Sequence, residues 1–593
     1  MEGFMRLLPR GRALWPVVAS GVTLVAFYAV GGEFLQWYRL DLGSMTLPNE
    51  RHTYFLFWWT LLGSLATFLL LVGLTRRMAL GGPGPEAAED GASTEGAWIA
   101  VSMVAAFLVP WAIRTFLLRG AVLTDDESSY RFMAQVISGG RLWVESHPLR
   151  AFFDRGFMIN DGKFYSAYFI GWPVLMVPGV YVGLTGYMNA LYAALTVPPL
   201  YLVARRMAGP AAGRVATLLF LASPMLMVGA ATELSHTTCM AALAWSMYFL
   251  LRAREQPGTW WTHAAVAFFF SLAFFVRPTS AIGVGVPILA WWTAAAIRWP
   301  VAVRRRAVVS FAVPAGLMAL AFLYVNVAQN ESPLLPSYVR MQQFMREVNY
   351  RNVGATGEVA PGAVGRYILP NAQVGEALAK TTVALVRLAF DLFGSPWLIL
   401  LAGFAWAAKS ARLAWLSALS FVGVHFFIND SGIDTFGPVH YFELSLPLLL
   451  LSGVGLARLT VITRTVWPNL PRSWPMAAVV AVVLVSLAGF VPVRLAAIKV
   501  IADSVNSPAN AVKAAGISNA IVFTPGRFIT QQCIAPTRHF VFMRPNNDPA
   551  LKNDVLWVND LGLNQDLELM RHFPGRQGYV LEWVRCHPQL RRL

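Results

Sequence analysis

The chain has 593 residues, of which 56% are hydrophobic and only 13% are charged, and its mean hydropathy is +0.53. Soluble proteins carry roughly 25% charged residues, so this composition excludes a set of soluble domains as well as the disordered, collagen-like and disulfide-scaffold classes. Uncharged stretches reach the about 20 residues that a helix needs to cross a bilayer. The composition therefore predicts an integral membrane protein.

Thirteen uncharged or nearly uncharged segments are candidate membrane crossings. In chain order they are 13–32, 53–75, 96–113, 164–204, 215–232, 237–251, 264–276, 278–297, 307–330, 392–408, 413–429, 444–457 and 473–493. The first is longer than the apolar core of a signal peptide and lacks a cleavage pattern, so we expect it to be retained as a helix. The first half of 164–204 contains helix-interrupting Gly and Pro residues. We therefore interpret 164–185 as a segment that dips into the outer side of the membrane and 186–204 as the crossing.

The net charge of +16 is explained by topology. With a cytoplasmic N-terminus and alternating crossings, the predicted cytoplasmic pieces contain 19 Lys and Arg against 6 Asp and Glu, which leaves 28 against 25 for the rest of the chain. Positive charge on the cytoplasmic side orients membrane proteins, and anionic lipids are a sufficient partner for it. We therefore expect membrane lipids, and no nucleic acid, as the partner of these residues.

This topology predicts a transmembrane domain over 1–493 and an extracytoplasmic α/β domain over 494–593. Within the first domain, a large outer loop spans about 114–185, a second long outer loop spans about 331–391, and a short one spans 430–443. The tail has strand-like runs that begin at Ile521, His539, Val555 and Tyr579, and one predicted helix over 565–572. It also contains Cys533 and Cys586, which form either a disulfide or two unpaired thiols.

Three adjacent acids, Asp125, Asp126 and Glu127, open the large outer loop. Like charges in a partly desolvated position raise one another's pKa unless a cation or a proton is shared. The cluster is therefore a candidate general base, metal site or both. The alternative is structural: Asp126 or Glu127 caps the helix predicted over 128–137, because acids favour a helix N-terminus.

The residues that follow resemble a known group of enzymes. The pattern is an acidic pair with a Tyr, then Asp-Gly-x-x-Tyr-Ser, then Gly-x-Pro and Pro-Gly. The matching residues are Asp126, Glu127, Tyr130, Asp161, Gly162, Tyr165, Ser166, Gly171, Pro173, Pro178 and Gly179. The pattern resembles bacterial GT-C-type membrane glycosyltransferases, the superfamily of protein O-mannosyltransferases, lipid A aminoarabinose transferases and lipopolysaccharide sugar transferases. The resemblance covers about 120–470.

The resemblance implies that a sugar moves from a polyprenyl-phosphate carrier to an acceptor at the outer face of the membrane. It assigns the general base to Asp126, acceptor positioning or metal ligation to Glu127, and a third place to Asp125. Relatives often have Gly-Asp-Glu-Pro where this chain has Thr124-Asp125-Asp126-Glu127-Ser128, so the identity of the base stays open. A divalent metal, Mg²⁺ or Mn²⁺, is a possible cofactor, and Asp126 and Glu127 would be its ligands.

Candidates for binding the donor phosphate or another part of the substrates lie at the outer side. They are Arg277, His440, Tyr441, Tyr130, Asp161, Tyr165 and His236. Arg277 lies between two crossings, where a charge is costly, and either serves function or extends to the headgroups. Many relatives have Arg-Tyr at the place of His440 and Tyr441, and a neutral His supplies a hydrogen bond but no charge. Glu233 and His236 either face the same cavity or form a satisfied interfacial pair.

We therefore predict a mainly α, polytopic GT-C-like glycosyltransferase of the bacterial inner membrane, with about thirteen transmembrane helices. Two alternatives remain. A glycan polymerase or ligase with a diphosphate-linked donor would use several arginines in a long outer loop, for which Arg340, Arg346, Arg351 and Arg366 are candidates. A lipid or solute transporter would place charged groups near the midplane. The sugar, the carrier lipid and the acceptor are not indicated by the sequence.

Overall fold

A computed structural model describes most of the chain. The described residues are 60–71, 92–341, 374–428, 433–434, 437–468, 473–525, 544–585 and 587–593. Several predictions fall outside them: the first crossing at 13–32, most of the loop at 331–391 with Arg346, Arg351 and Arg366, the strand expected from His539, and both Cys533 and Cys586.

The described chain is mainly helical. In chain order its helices are α1 (Thr60–Leu71), α2 (Ala92–Ala112), α3 (Asp125–Ser138), α4 (Gly171–Tyr181), α5 (Met188–Ala208), α6 (Pro210–Leu221), α7 (Pro224–Ala231), α8 (His236–Glu255), α9 (Trp260–Val276), α10 (Pro278–Ala296), α11 (Val301–Asn330), α12 (Val374–Phe393), α13 (Leu400–Phe404), α14 (Arg412–Phe426), α15 (Ser445–Val466), α16 (Trp474–Val485), α17 (Val491–Ala514) and α18 (Leu563–His572). A π-helical turn, Ile113–Leu118, extends α2, and another, Ser486–Phe490, joins α16 to α17.

Long apolar helices make this a multi-pass membrane protein. Within the described residues, five helical stretches are long and apolar enough to cross a membrane: Thr94–Leu118, Pro278–Ala296, Val301–Asn330, Val439–Val466 and Trp474–Ala514. The number rises to seven if two sharply bent helix pairs, Pro210–Leu221 with Pro224–Ala231 and Val374–Phe393 with Pro396–Phe404, each count as one span. The predicted number of about thirteen stays a prediction.

Two helices show how the bundle is organised. In the most apolar window of α11 no residue is buried, so this helix presents apolar side chains such as Leu317 and Leu320 outward, as a lipid-facing helix does. In contrast, the first half of α15 is almost wholly buried. A Cβ at Gly453 of α15 would lie 2.5 Å from the backbone oxygen of Ala212, so glycine permits α6 and α15 to approach closely.

The outer segment at 164–185 forms short elements. Strands β2 (Met158–Asp161) and β3 (Lys163–Ser166) make an antiparallel hairpin, and β1 (Val144–Glu145) pairs with β3. The helix α4 follows, with Pro178 inside it, and is separate from α5. A Cβ at Gly171 would lie 2.6 Å from the backbone of Phe275, so α4 packs directly on the end of α9.

Two short strands before α15, β4 (Ile433–Asp434) and β5 (Gly437–Pro438), pair antiparallel. The C-terminal part contains a four-stranded sheet, whose strands β6 to β9 lie in the order β7-β6-β8-β9. Its strands are β6 (Ala520–Thr524), β7 (Val555–Asn559), β8 (Gln577–Val584) and β9 (His587–Arg592). β6 is parallel to β7 and β8, and β9 is antiparallel to β8. Three of these strands and α18 include the segments predicted from the sequence; β9 was not predicted, because His587–Arg592 is polar. The predicted boundary at 493 lies within the helical stretch Trp474–Ala514.

The sheet packs on the large outer loop. Phe152 and Phe153 of that loop belong to the same apolar cluster as Ile521, Phe523 and Leu556 of the sheet. The two regions therefore share a core, although about 370 residues separate them in sequence. This packing places the C-terminal domain beside the acid cluster at the start of α3.

Candidate active site

The acid cluster forms the first turn of α3. Thr124 is the N-cap, since its backbone is extended and its hydroxyl accepts a hydrogen bond from the backbone N–H of Glu127 at 3.3 Å. The cap is therefore Thr124, and the expectation that Asp126 or Glu127 caps the helix was wrong. Acids in the first turn still interact favourably with the helix dipole.

Glu127 is completely buried and both its carboxyl oxygens accept hydrogen bonds. Oε1 accepts from the backbone N–H of Leu123 at 3.1 Å and from the hydroxyl of Thr124 at 3.4 Å, and Oε2 accepts from the backbone N–H of Glu233 at 2.7 Å. Burial, and then the charge of Glu233, raise the pKa of Glu127 to about 7. This side chain joins α3 to the turn before α8.

Asp125 is also buried, with 1% of its surface exposed. A Cβ at Gly156 would lie 3.0 Å from its Oδ2, so the outer loop closes directly over the carboxylate. The guanidinium groups of Arg155 and Arg544 interact with it electrostatically. Asp125 therefore lies at the contact between α3, the outer loop and the C-terminal domain.

Asp126 is the one member of the cluster that is partly exposed. Its carboxylate accepts a hydrogen bond from the hydroxyl of Tyr168. Burial, and then the neighbouring Asp126, raise the pKa of Tyr168 well above its usual value, so the phenol keeps its proton at neutral pH. Of the three acids, Asp126 is the one with appreciable exposed surface.

A chain of contacts connects Asp126 to Arg277. The ring of Tyr168 packs on that of Tyr130, with centroids 4.8 Å apart. The hydroxyl of Tyr130 lies 3.0 Å from that of Ser235, and Ser235 Oγ accepts a hydrogen bond from Arg277 Nη1 at 3.2 Å. An acid and a guanidinium are thus joined through three hydroxyl-bearing side chains.

Arg277 is held at the junction of α9 and α10 by Glu443. Its Nε lies 3.2 Å from Glu443 Oε1, and 16% of its side chain is exposed. Glu443 is fully buried and also receives a hydrogen bond from Ser280 at 3.0 Å and lies 3.2 Å from His236 Nδ1. Sequence reasoning missed Glu443, although an acid that enters an apolar run, here at 444–457, is itself a signal of function or pairing.

Glu233 and His236 do not pair with each other, so the alternative that they form an interfacial pair was wrong. Glu233 is buried between Arg114, whose Nη2 lies 2.5 Å from Oε1, and Arg131, whose Nε lies 2.9 Å from Oε2. Burial alone would raise the pKa of Glu233, but Arg131 and Arg114 outweigh burial and lower it. His236 pairs instead with Glu443, so the two residues belong to different ion-pair groups.

Two further predicted residues, Asp161 and Tyr165, lie on the β2–β3 hairpin. Asp161 is 38% exposed and pairs with Arg150 at 2.5 Å and with Arg340 at 3.3 Å. The hydroxyl of Tyr165 donates to Asn330 Oδ1 at 2.7 Å, which ties the hairpin to the end of α11. Both side chains therefore hold the outer loop together.

His440 and Tyr441 lie in the helical turn Val439–Leu444 that precedes α15. Tyr441 is fully buried, and its ring lies 6.0 Å from that of Phe421 and 5.6 Å from that of His425. His440 is partly exposed. Of this pair, His440 is the one with surface available to a ligand.

The predicted metal ligands do not converge. Among the described residues, no three His, Cys, Asp or Glu side chains are grouped in a way that could hold a metal ion. Glu127 uses both its oxygens for hydrogen bonds within the protein, and Asp125 faces arginines. A metal site made by Asp126 with Glu127 therefore does not fit this arrangement.

Comparison with known proteins finds one family model that matches part of the chain. Residues 184–328 match the family model described as dolichyl-phosphate-mannose-protein mannosyltransferase. This match confirms the predicted resemblance to GT-C glycosyltransferases and the prediction that the chain is an enzyme of this kind. The matched segment runs from the end of the outer loop through most of α11 and includes Glu233, His236 and Arg277. No curated protein matches the chain by sequence.

Several solved glycosyltransferase structures match the chain with TM-scores below 0.5. ArnT from Cupriavidus metallidurans bound to undecaprenyl phosphate is 14% identical, with 83% of this chain and 94% of that chain covered and a TM-score of 0.49. AglB from Archaeoglobus fulgidus, an archaeal oligosaccharyltransferase in complex with an inhibitory peptide and a dolichol-phosphate, is 12% identical over 76% of this chain and 64% of that chain, with a TM-score of 0.43. The arabinofuranosyltransferase AftD from Mycobacteria is 14% identical over 82% of this chain and 35% of that chain, with a TM-score of 0.41.

Proposed function

We propose that this glycosyltransferase takes a sugar from a polyprenyl-phosphate carrier and places it on a hydroxyl-bearing acceptor at the extracytoplasmic face of the membrane. The matching family is described by its donor, dolichyl-phosphate mannose, which is a polyprenyl-phosphate sugar. The observation that supports the site assignment is the partial exposure of Asp126 beside two buried acids, in contact with a network that ends at Arg277.

Asp126 would act as the general base. It would accept the proton of the acceptor hydroxyl while that oxygen forms a bond to the anomeric carbon of the donor sugar. The bond from that carbon to the phosphate oxygen breaks, and the polyprenyl phosphate leaves with the electron pair. General-base catalysis of this kind contributes typically ~10²–10⁴-fold in rate.

Arg277 would bind the leaving phosphate. Its guanidinium is fixed by Glu443 on one side and by Ser235 on the other, so little side-chain entropy is lost when the phosphate binds. A preorganised positive group stabilises the negative charge that grows on the phosphate during transfer. The partly exposed His440 is a second candidate for this contact.

The proposed setting is the inner membrane of a bacterium, with the N-terminus in the cytoplasm. The excess of Lys and Arg in the predicted cytoplasmic pieces supports this orientation. It would put α3, the β2–β3 hairpin and the C-terminal α/β domain on the extracytoplasmic side. The acceptor would be an envelope glycan, lipid or protein.

The test is donor consumption by the purified full-length protein. A panel of polyprenyl-phosphate sugars with labelled mannose, galactose, arabinose or aminoarabinose is incubated with the wild type and Asp126→Asn, each with and without EDTA. We expect release or transfer of label from at least one donor, and a loss of about a hundredfold or more in Asp126→Asn. If the wild type neither consumes nor binds any donor, the proposal fails. Separately, the comparison with and without EDTA decides whether a metal takes part in the reaction.

A further inference from the structure

A cavity of about 110 Å³ lies between the outer loop and the C-terminal domain. One wall comes from residues between Phe132 and Phe164, and the other from residues between Arg544 and Trp557. We call it the interdomain cleft. Neither the family match, which begins at residue 184 and ends at 328, nor the proposed transfer site includes its lining.

Aromatic side chains give the cleft apolar faces. Phe132 and Phe164 contact each other at a centroid distance of 4.7 Å, and Phe153 packs on His147 at 4.9 Å. Trp557 lies in the opposite wall. Ligand sites in proteins are mostly apolar and aromatic, with a few placed polar groups that fix orientation, and aromatic faces suit the C–H faces of sugar rings.

The lining of the cleft includes both hydrogen-bond donors and hydrogen-bond acceptors. Asn160 is 1% exposed, and its Oδ1 is buried without a hydrogen-bond partner, while its amide nitrogen donates to Asp154 and to the backbone of Arg150. Glu145 is exposed at the edge of the cleft. A buried acceptor without a donor is costly, so Asn160 favours a ligand that brings a donor.

The charges of the lining balance. Arg155 and Arg544 share the lining with two acids, Glu145 and Asp548, and the arginines are already engaged with backbone oxygens of Pro545 and Asp154. Burial and, after it, the charge of His572 lower the pKa of His147, so this ring adds no charge at neutral pH. Balanced charge favours a neutral ligand with hydroxyl groups, which both donate and accept.

The cleft adjoins the acid helix. Arg155, which lines it, donates to the hydroxyl of Ser128 at 3.0 Å, and Asn546 from the other wall donates to the backbone oxygen of Ser128 at 2.7 Å. Ser128 follows the acid cluster directly on α3. A molecule in the cleft would therefore lie beside the end of α3 that carries Asp126.

We propose that the interdomain cleft binds one neutral sugar unit of a glycan on the acceptor, remote from the hydroxyl that receives the transferred sugar. This substrate class rests on the proposed glycosyl transfer. Binding in the cleft means that the acceptor carries a glycan and that the C-terminal domain helps to select the acceptor.

The test measures saccharide binding to the full-length protein in the absence of donor. Saturation-transfer NMR titrations use maltotetraose, cellotetraose, chitotetraose and mannotetraose, with tetragalacturonate as the anionic comparator. Val144→Trp fills the cleft from a half-buried position on β1, and Glu145→Ala removes an exposed acceptor at its edge. Leu567→Trp, at an exposed position of α18 outside the lining, is the matched control.

We expect at least one neutral tetrasaccharide to bind to the wild-type protein. Compared with the wild type, it should bind about tenfold more weakly to Val144→Trp, several-fold more weakly to Glu145→Ala, and equally well to Leu567→Trp. The proposal is overturned if none binds, if tetragalacturonate binds best, or if both cleft variants bind as the wild type does.

Donor consumption is measured in parallel. Intact consumption without saccharide binding would overturn the cleft alone, whereas saccharide binding without consumption of any donor would overturn the proposed function alone.

Discussion

At the scale of single residues, the decisive finding is that three adjacent acids have three different surroundings. Consecutive residues on a helix do not face the same direction, so Asp125, Asp126 and Glu127 cannot all line one cavity once α3 begins at Asp125. The sequence predicted the cluster and the helix after it. It could not predict which acid is exposed, because that depends on Gly156 and Glu233, which are distant in sequence.

The raised pKa of Glu127 predicts how stability depends on pH. The folded protein binds the Glu127 proton more tightly than the unfolded chain, with a pKa of about 7 against 4.5. Between these values the unfolded state holds fewer protons, so this group's contribution to stability is present below about pH 4.5 and is lost as the pH rises to about 7. Glu127→Gln should remove that part of the pH dependence of Tm.

Thermal unfolding in detergent at pH 5 to 8 measures the effect. Glu568→Gln, at an exposed site on α18, is the control and should keep the pH profile of the wild type. An unchanged profile in Glu127→Gln would show that the group does not titrate in this range.

At the scale of elements, the junction of α9 and α10 positions the guanidinium group of Arg277. Arg277 precedes Pro278, and Glu443 from the turn before α15 holds it. The sequence predicted an outer-side arginine between two crossings, because a charge there is rare. It did not predict the roles of Glu443 and Tyr168, because these roles depend on contacts with distant elements. Glu443 contacts residues 160 or more positions before it in sequence, and Tyr168 contacts Asp126, about 40 positions before it.

We expect Arg277→Ala to weaken donor binding roughly ten- to a hundredfold, since hydrogen bonds to charged groups contribute about 1.5–3 kcal/mol. The KM for the polyprenyl-phosphate sugar measures the change, and Arg277→Lys should recover part of it. Arg298→Ala, at an exposed position after α10, is the control. An unchanged KM in Arg277→Ala would remove Arg277 from the phosphate site.

At the scale of the whole molecule, the sequence predicted the apolar helices and most of the C-terminal strands, because hydropathy and short strand-like runs are local signals; the division into a membrane domain and a C-terminal α/β domain stays a prediction. The contact between that domain and the outer loop was not predicted. It depends on side chains about 400 residues apart: Asn559 donates to the backbone oxygens of Ala151 and Asp154, and Arg544 donates to the latter. No local pattern encodes such pairs.

The docking contact predicts a local change in dynamics. Asn559→Ala should remove two hydrogen bonds to the outer loop, each with a net contribution of about 1 kcal/mol, and expose buried carbonyls. Hydrogen exchange of 149–157 and 544–561 should become faster, while that of α15 should not change. Asn564→Ala, on the exposed side of α18, is the control; equal exchange in both variants would contradict a docked domain.

Asp126, and not its neighbours, is the proposed general base. The most direct measurement is single-turnover sugar release from one consumed donor by Asp125→Asn, Asp126→Asn and Glu127→Gln, with donor binding measured in each. We expect Asp126→Asn to lower the rate by about a hundredfold or more with donor affinity unchanged, and the other two variants to retain more activity. A rate within a few-fold of the wild type in folded Asp126→Asn, with activity lost in either neighbour, would contradict it.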